Sequence, residues 1–440
     1  MQERLGVVVQ ERLGLLDEAI RSIAIRLPRS RSANRLADQD RSFHDWYRFI
    51  LSFPPHLVRT YLGAFGIGPG ERILDPFCGT GTTLVEGKKL GCDVVGFEMN
   101  PMAHLAAAVK TDWRVNPKIL LHAADRCAES AHAAIKSSSK LRALPAEAER
   151  LLLRDSICPL PLHKALILRE VIENETAGSV RGLAQVALAK ALVESASNLH
   201  FGPEVGVRGK REDAELVGRW FHRMWIMAKD LSEHVARQSS PAAVHRHDAR
   251  DPLAGRERGS ISAVFTSPPY PNEKDYTRTT RLESVVLGLI NNKSELQRLK
   301  RDLVRSNTRS VYSTDTDAEW VAGNRRIDAI CDEIERRRIA LGKTSGFERM
   351  YPRVTRLYFG GMARHLASLR PLLKPGAMLG YVVGDQASYL QVMIRTGEIL
   401  AELAASLGYE VCSVDLFRER FATATRAQMR EEVLVLRWPG

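Results

Sequence analysis

The stretch Arg72-Ile73-Leu74-Asp75-Pro76-Phe77-Cys78-Gly79-Thr80-Gly81-Thr82-Thr83-Leu84 decides the fold. Ile73 and Leu74 end a short apolar run of the kind that forms the first strand of a parallel sheet. Gly79 and Gly81 then permit a tight turn and a close approach of backbone to ligand. From Thr82 the pattern is helical, with Leu84, Val85 and Leu90 apolar, and the helix amino terminus points at that ligand. A second strand, Asp93 to Glu98, ends in a carboxylate suited to accepting hydrogen bonds from ribose hydroxyls. A dinucleotide site is the rival reading. Against it, Leu84 stands where the third glycine of G-x-G-x-x-G belongs. Asp75 beside the glycines would also repel a pyrophosphate, whereas it suits an ammonium.

A second anchor is Val264-Phe265-Thr266-Ser267-Pro268-Pro269-Tyr270. A strand ending in a proline turn is the plain reading. The chemical reading is more specific. The exocyclic amine of cytosine or adenine is a poor nucleophile, because its lone pair is delocalised into the ring. A Ser267 hydroxyl and a carbonyl held by the rigid Pro268-Pro269 unit can accept its two N–H bonds and shift the nitrogen toward sp3. Tyr270 offers a face on which an extruded base can stack.

Both anchors resemble motifs of the S-adenosylmethionine-dependent DNA amino-methyltransferases, motif I in its D-P-F-x-G-x-G-T-T form and motif IV in its T-S-P-P-Y form. The resemblance implies an α/β fold, a doubly wound seven-stranded Rossmann-like methyltransferase sheet, here with a largely helical insertion. It implies S-adenosyl-L-methionine as cofactor and DNA as partner. On the matching positions, the cofactor would be held by Asp75, Pro76, Phe77, Cys78, Gly79, Gly81, Thr82 and Thr83. Glu98 would meet the ribose, Met99 would also bind the cofactor, and Ser267, Pro268, Pro269 and Tyr270 would act on the target base. Transfer would be direct, since the covalent route to cytosine carbon-5 needs a Pro-Cys dipeptide and the chain has none. The form of motif IV favours the N4 amine of cytosine, with adenine N6 next. An RNA amino-methyltransferase and a non-catalytic nucleic-acid-binding module are the remaining alternatives.

Weaker signals lie around the anchors. Residues 1–42 hold a helical pattern and a basic linker, Arg26 to Ser32. An aromatic cluster runs from Phe43 into Phe53-Pro54-Pro55. It resembles motif X, which covers the methionine end of the cofactor; the plain alternative is a helix packing its aromatic face on the sheet. Residues 43–111 form the first part of the methyltransferase domain, and 112–240 a helical insertion. In the insertion a Met and aromatic stripe from Leu216 to Val235 reads as a core face. A loop from Asn198 to Arg211, with three glycines and three cations, reads either as a ligand contact or as a plain connection. Residues 241–440 complete the domain, with a charged insertion at about 277–350. There Asp248-Ala249 resembles motif III, whose carboxylate accepts the cofactor's adenine amine. Arg305, Asn307 and Arg309 are the candidates for phosphate contacts. The run Glu335 to Arg338 reads as a solvated helix face.

Composition narrows the class. A formal charge of +12 fits a polyanionic partner. Six cysteines without a C-x-x-C pair argue against both a disulfide framework and a zinc site. The chain has no run of 18 apolar residues and no signal segment, so a cytoplasmic protein without a membrane partner is expected. A cognate restriction or defence protein is the expected functional setting.

Overall fold

A computed structural model describes residues 36–49, 52–201, 205–234, 240–252, 257–272, 274–422 and 427–440. The expected amino-terminal helix and basic linker lie outside the described residues, as does the stretch Ala424-Thr425-Arg426.

In chain order, helix α1 (Pro55–Ala64) leads to β1 (Arg72–Asp75), α2 (Thr82–Lys89), β2 (Asp93–Phe97) and α3 (Pro101–Thr111). Four longer helices follow, α4 (Pro117–Ser137), α5 (Pro159–Glu175), α6 (Gly178–Ala191) and α7 (Leu216–Glu233). A small ribbon, β3 (Leu199–Phe201) with β4 (Val205–Val207), separates the last two. The sheet resumes with β5 (Ala242–His245) and β6 (Ile261–Thr266). Then come α8 (Arg281–Val286), α9 (Lys293–Arg301), α10 (Arg325–Ala340) and α11 (Gly346–Leu369). Strand β7 (Leu373–Gly384), α12 (Thr396–Ser406), β8 (Glu410–Ala422) and β9 (Ala427–Arg437) close the chain.

The seven-stranded sheet has the order β5-β2-β1-β6-β7-β9-β8. Its strands are parallel except β9, which runs antiparallel to both β7 and β8. Strand alternation divides the side chains between the two faces. Leu74, Val264 and Leu379 pack with α10, α11 and α12 on one face. Ile73, Ala263 and Phe265 pack with α1 and α2 on the other. The sheet is therefore doubly wound. Strand order reverses between β1 and β6, and in such sheets the crevice at the carboxyl ends beside that reversal takes the ligand.

Helices α4 to α7 build a third core with α3 and α8. The stripe of α7 is a core face, because Leu216, Val217, Trp220, Met224, Met227 and Leu231 are all buried. This core also takes in the aromatic cluster. Phe43 stacks on Trp113 at 4.5 Å, and Trp46 donates its indole N–H to the buried Asp230 at 2.7 Å. The helical layer thus fixes the start of the segment that leads into α1. The Gly-rich loop is the β3–β4 ribbon. Its Arg211 guanidinium donates inward to the Glu194 carbonyl at 2.7 Å. No helix among the described residues is long and apolar enough to cross a membrane.

Candidate active site

A cleft of about 440 Å³ opens at the carboxyl ends of β1 and β6. Its first wall is the loop after β1. Gly79 and Gly81 both have positive φ, +51° and +84°. At Gly81 a Cβ would stand 3.1 Å from the backbone of Ala107, so a side chain would push α2 off α3. Gly79 donates its N–H to Glu98 Oε2 at 2.9 Å, and Asn100 donates to Oε1 at 2.7 Å. These two bonds aim the carboxyl, while burial pushes its pKa up to about 7. Pro76, Phe77, Cys78, Gly79, Thr82 and Met99 line the cleft with Glu98. Asp75, Gly81 and Thr83 stand behind that wall. Asp75 is fully buried and accepts from Thr266 Oγ1 at 2.6 Å and from the Phe77 N–H at 3.2 Å. Thr83 donates to the Phe265 carbonyl at 3.0 Å. Both tie β1 and its following helix to β6.

The side wall is Asp248-Ala249 after β5. Arg250 grips Asp248 through Nε and a terminal nitrogen, at 3.0 and 2.7 Å, and its other terminal nitrogen reaches Asp317 at 2.6 Å. The Ala249 carbonyl accepts from His365 Nδ1 at 2.6 Å, and His365 Nε2 meets the Tyr381 hydroxyl at 2.8 Å. Burial holds this histidine down at about 4, so it is neutral and serves as a prop for the wall.

The third corner is Ser267 to Tyr270, at the end of β6. All four residues line the same cleft. Ser267 donates its hydroxyl to the Val382 carbonyl at 3.1 Å and is also in hydrogen-bonding reach of the Tyr270 side chain, and its oxygen has two lone pairs with which to accept. The Tyr270 ring packs so close to Gly384 that a Cβ there would lie 3.1 Å from it. Tyr276 accepts the Tyr270 backbone N–H at 3.2 Å. Opposite stand Tyr47, Phe49 and Phe53, with Phe201 and Val205 from the ribbon. Pro54 is buried beside them and caps α1, its fixed φ preparing the turn into Pro55.

Residues 29–109 match the family model described as DNA methylase, N6_N4_Mtase. That match sets the segment carrying the glycine loop beside the DNA amino-methyltransferases. The chain is 25% identical over 428 residues to the Type II methyltransferase M.BsoBI of Geobacillus stearothermophilus, covering 87% of this chain and 82% of that one. The Type II methyltransferase M.AvaI of Nostoc sp. is 26% identical over 195 residues, covering 42% of this chain and 39% of that one. Among solved structures, TrmN from Thermus thermophilus aligns at 12% identity with a TM-score of 0.26, over 87% of this chain and 48% of its own.

In this methyltransferase the three residues read as phosphate contacts part company. Arg305 is buried and cannot reach a phosphate. Its guanidinium forks onto both oxygens of Asp315, at 2.9 and 2.6 Å, and donates to the carbonyls of Lys300, Leu303 and Arg301. The acids scattered through this region turn the cation inward. Asn307 is also buried and donates to the Lys274 carbonyl at 3.1 Å, though it still borders the cleft. Arg309 is exposed on the cleft rim. Glu333–Arg336 and Glu335–Arg338 pair along α10, where Arg336 is exposed and Arg337 and Arg338 are half-buried.

Sequence reading places Tyr47 in the aromatic cluster without its partner, and it misses Lys110 and Glu283. Lys110 is buried and donates to the Thr80 carbonyl inside the glycine loop at 3.0 Å. Tyr47 donates to Glu283 at 2.6 Å across 236 residues of sequence, and both line the cleft. Nothing local marks Glu283 or Lys110 as more than core or surface.

Proposed function

We propose that the chain methylates the N4 amine of cytosine in DNA, with S-adenosylmethionine as donor, in a restriction-modification or defence setting. The observation that carries this reading is that Ser267 to Tyr270 share one cleft with Gly79 and Glu98 at the sheet's switch point. The donor supplies an electrophilic methyl group when bound. The residues present suit it. Glu98, anchored by two backbone N–H groups, retains acceptor capacity for a ribose diol. Phe77, Phe97 and Met99 supply apolar surface for the adenine, with the Asp248 carboxylate at hand for its amine.

On the target side, Ser267 keeps its lone pairs turned away from the Val382 bond and accepts an N–H of the incoming amine. The Pro268-Pro269 unit restricts the backbone, so a carbonyl accepts the second N–H without reorganisation. Tyr270 stacks on the flipped base. Positioning of this kind supplies the rate enhancement, since no covalent intermediate is needed. Arg309 on the rim, with Asn307 beside it, meets the phosphates of the DNA. The neutral Ser267, where adenine-specific relatives more often carry Asp or Asn, is the basis for choosing cytosine. The Type II names of the relatives support the restriction-modification setting.

The test is nucleoside mass analysis after incubating the protein and donor with unmethylated genomic DNA and, separately, with total tRNA. N4-methylcytosine from the DNA arm is the expected result. N6-methyladenine in that arm would move the target while keeping the reaction class. Methylation of tRNA alone would overturn the DNA reading, and none in either arm would overturn the activity.

A further inference from the structure

The cleft holds a charged pair that neither the glycine loop nor Ser267 to Tyr270 uses. Arg418 on β8 and Glu431 on β9 both line it. Glu431 sits in a register row across three strands, opposite Gly384 of β7 on one side and Arg418 on the other. The Arg418 guanidinium forks onto the carboxylate, Nε to Oε2 at 2.8 Å and Nη2 to Oε1 at 2.7 Å. A cross-strand ion pair of this kind is commonly no more than a tie between strands. Two observations give this one a further role.

The first is where Arg418 is aimed. In a regular strand Phe417 and Arg418 face opposite sides. The pairing of β8 with β9 slips between Leu416 and Arg418, and both Phe417 and Arg418 line the cleft. Bulges of this type re-aim a side chain beside a site. The second is its neighbour. A Cβ on Gly384 would stand 3.1 Å from the Tyr270 ring and 3.4 Å from Glu431 Cγ, so the pair lies at the edge of that ring. Burial raises the Tyr270 pKa, the Glu431 carboxylate adds to the rise and the Arg418 guanidinium opposes it. The fork onto Glu431 uses the Nε proton and one proton of Nη2. Nη1 has no hydrogen-bond partner among the described residues, so the guanidinium keeps a second, end-on fork of donors.

A base stacked on Tyr270 with its amine at Ser267 brings the rest of its Watson–Crick edge beside that ring. Cytosine carries two adjacent acceptors there, N3 and O2. Adenine carries N1 and then a C–H. An arginine fork matches two adjacent acceptors, whereas the C–H leaves one of its donors unpaired. We propose that Arg418, held in place by Glu431, reads N3 and O2 of the target cytosine and selects it against adenine. This rests on the cytosine reading above and adds the residue that distinguishes the two bases.

The test runs the full chain with S-adenosylmethionine on two DNAs copied from one unmethylated template. One contains cytosine and the other 2-thiocytosine, whose sulfur is a weak acceptor in place of O2. The wild type is expected to favour cytosine about fivefold or more in kcat/KM, the loss of one hydrogen bond. Arg418→Met is expected to lose about tenfold to a hundredfold on cytosine, the value of a bidentate base contact, and to accept the two bases within about twofold. Arg418→Lys keeps a charge without the fork. It is expected to fall between the two and serves if Arg418→Met does not fold. Calorimetry with S-adenosylhomocysteine is expected to give wild-type affinity for both variants. Arg418 variants that keep the wild-type preference for cytosine over 2-thiocytosine would overturn the proposal, as would a wild type without that preference. A wild type that yields N6-methyladenine and no N4-methylcytosine would instead overturn the cytosine reading beneath it.

Discussion

Thr266 donates its hydroxyl to Asp75 Oδ1 at 2.6 Å, joining the last residue of β6 to the last residue of β1. The two motifs that carry the chemistry are thus fastened at the switch point by one buried bond. Burial pushes Asp75 up to about 6, and the Thr266 bond pulls against that rise. Thr266→Val should keep the shape and remove the bond. Stability should fall by about 1.5–3 kcal/mol, the range for a hydrogen bond to a charged group. Urea denaturation at neutral pH checks this, and an unchanged midpoint would show that the link is dispensable.

Glu98 makes a pH prediction with an unusual sign for a carboxylate. Its folded pKa of about 7 lies above the unfolded value, so between those two values the folded state binds more protons. Its contribution to stability therefore declines as pH rises through that window and is level above it. Salt-bridged Glu86, lowered to about 2, contributes in the opposite sense at more acidic pH. Comparing wild type with Glu98→Gln isolates the effect. The variant should gain on the wild type from about pH 5 to about pH 7, and the gap should then stay constant. A variant that loses ground on the wild type over that range would contradict the assignment.

Arg305 and Arg309 separate structure from binding. Arg305→Ala leaves Asp315 buried without its partner, and breaking such a pair costs about 3–5 kcal/mol. Arg309→Ala should leave the denaturation midpoint alone and reduce the salt slope of DNA association by about one unit. Charge alone does not distinguish them in the sequence. A destabilised Arg309→Ala with an unchanged salt slope would reverse the roles.

What could be read from the sequence was local. Glycines, prolines and β-branched runs marked β1, β2, β6 and the cleft corners, because those residues encode turn geometry and strand burial within a few positions. Helix α4 went unmarked, since its buried stripe is largely small residues, Ala123, Ala124, Cys127 and Ala131 beside Leu120. Their weak apolar contrast hides the period. The β3–β4 ribbon was read only as a loop, because its strands are three residues each. The pairing of Tyr47 with Glu283 was invisible for a different reason. Each acquires meaning only from the other, and folding alone brings them together. Arg305 shows the converse, a cation whose acidic partner ten residues on turned it from surface to core.

Ser267 and Tyr270 test the chemistry without disturbing the cofactor loop, since neither bonds to Gly79, Glu98 or Asn100 among the described residues. Ser267→Ala removes an acceptor for the incoming amine. Turnover should drop about tenfold to a hundredfold, because the lost bond strengthens as positive charge develops on the nitrogen. Tyr270→Ala removes the ring against which a flipped base stacks, and its loss should be at least as large. Tyr270→Phe keeps the ring and should retain most activity. In all three variants the affinity for S-adenosylhomocysteine should match wild type. Single-turnover methyl transfer, with calorimetry on the same preparations, separates the two effects. A Tyr270→Ala protein with full turnover would remove the stacking role, and a Ser267→Ala protein that loses cofactor affinity would move that serine to the other side of the cleft.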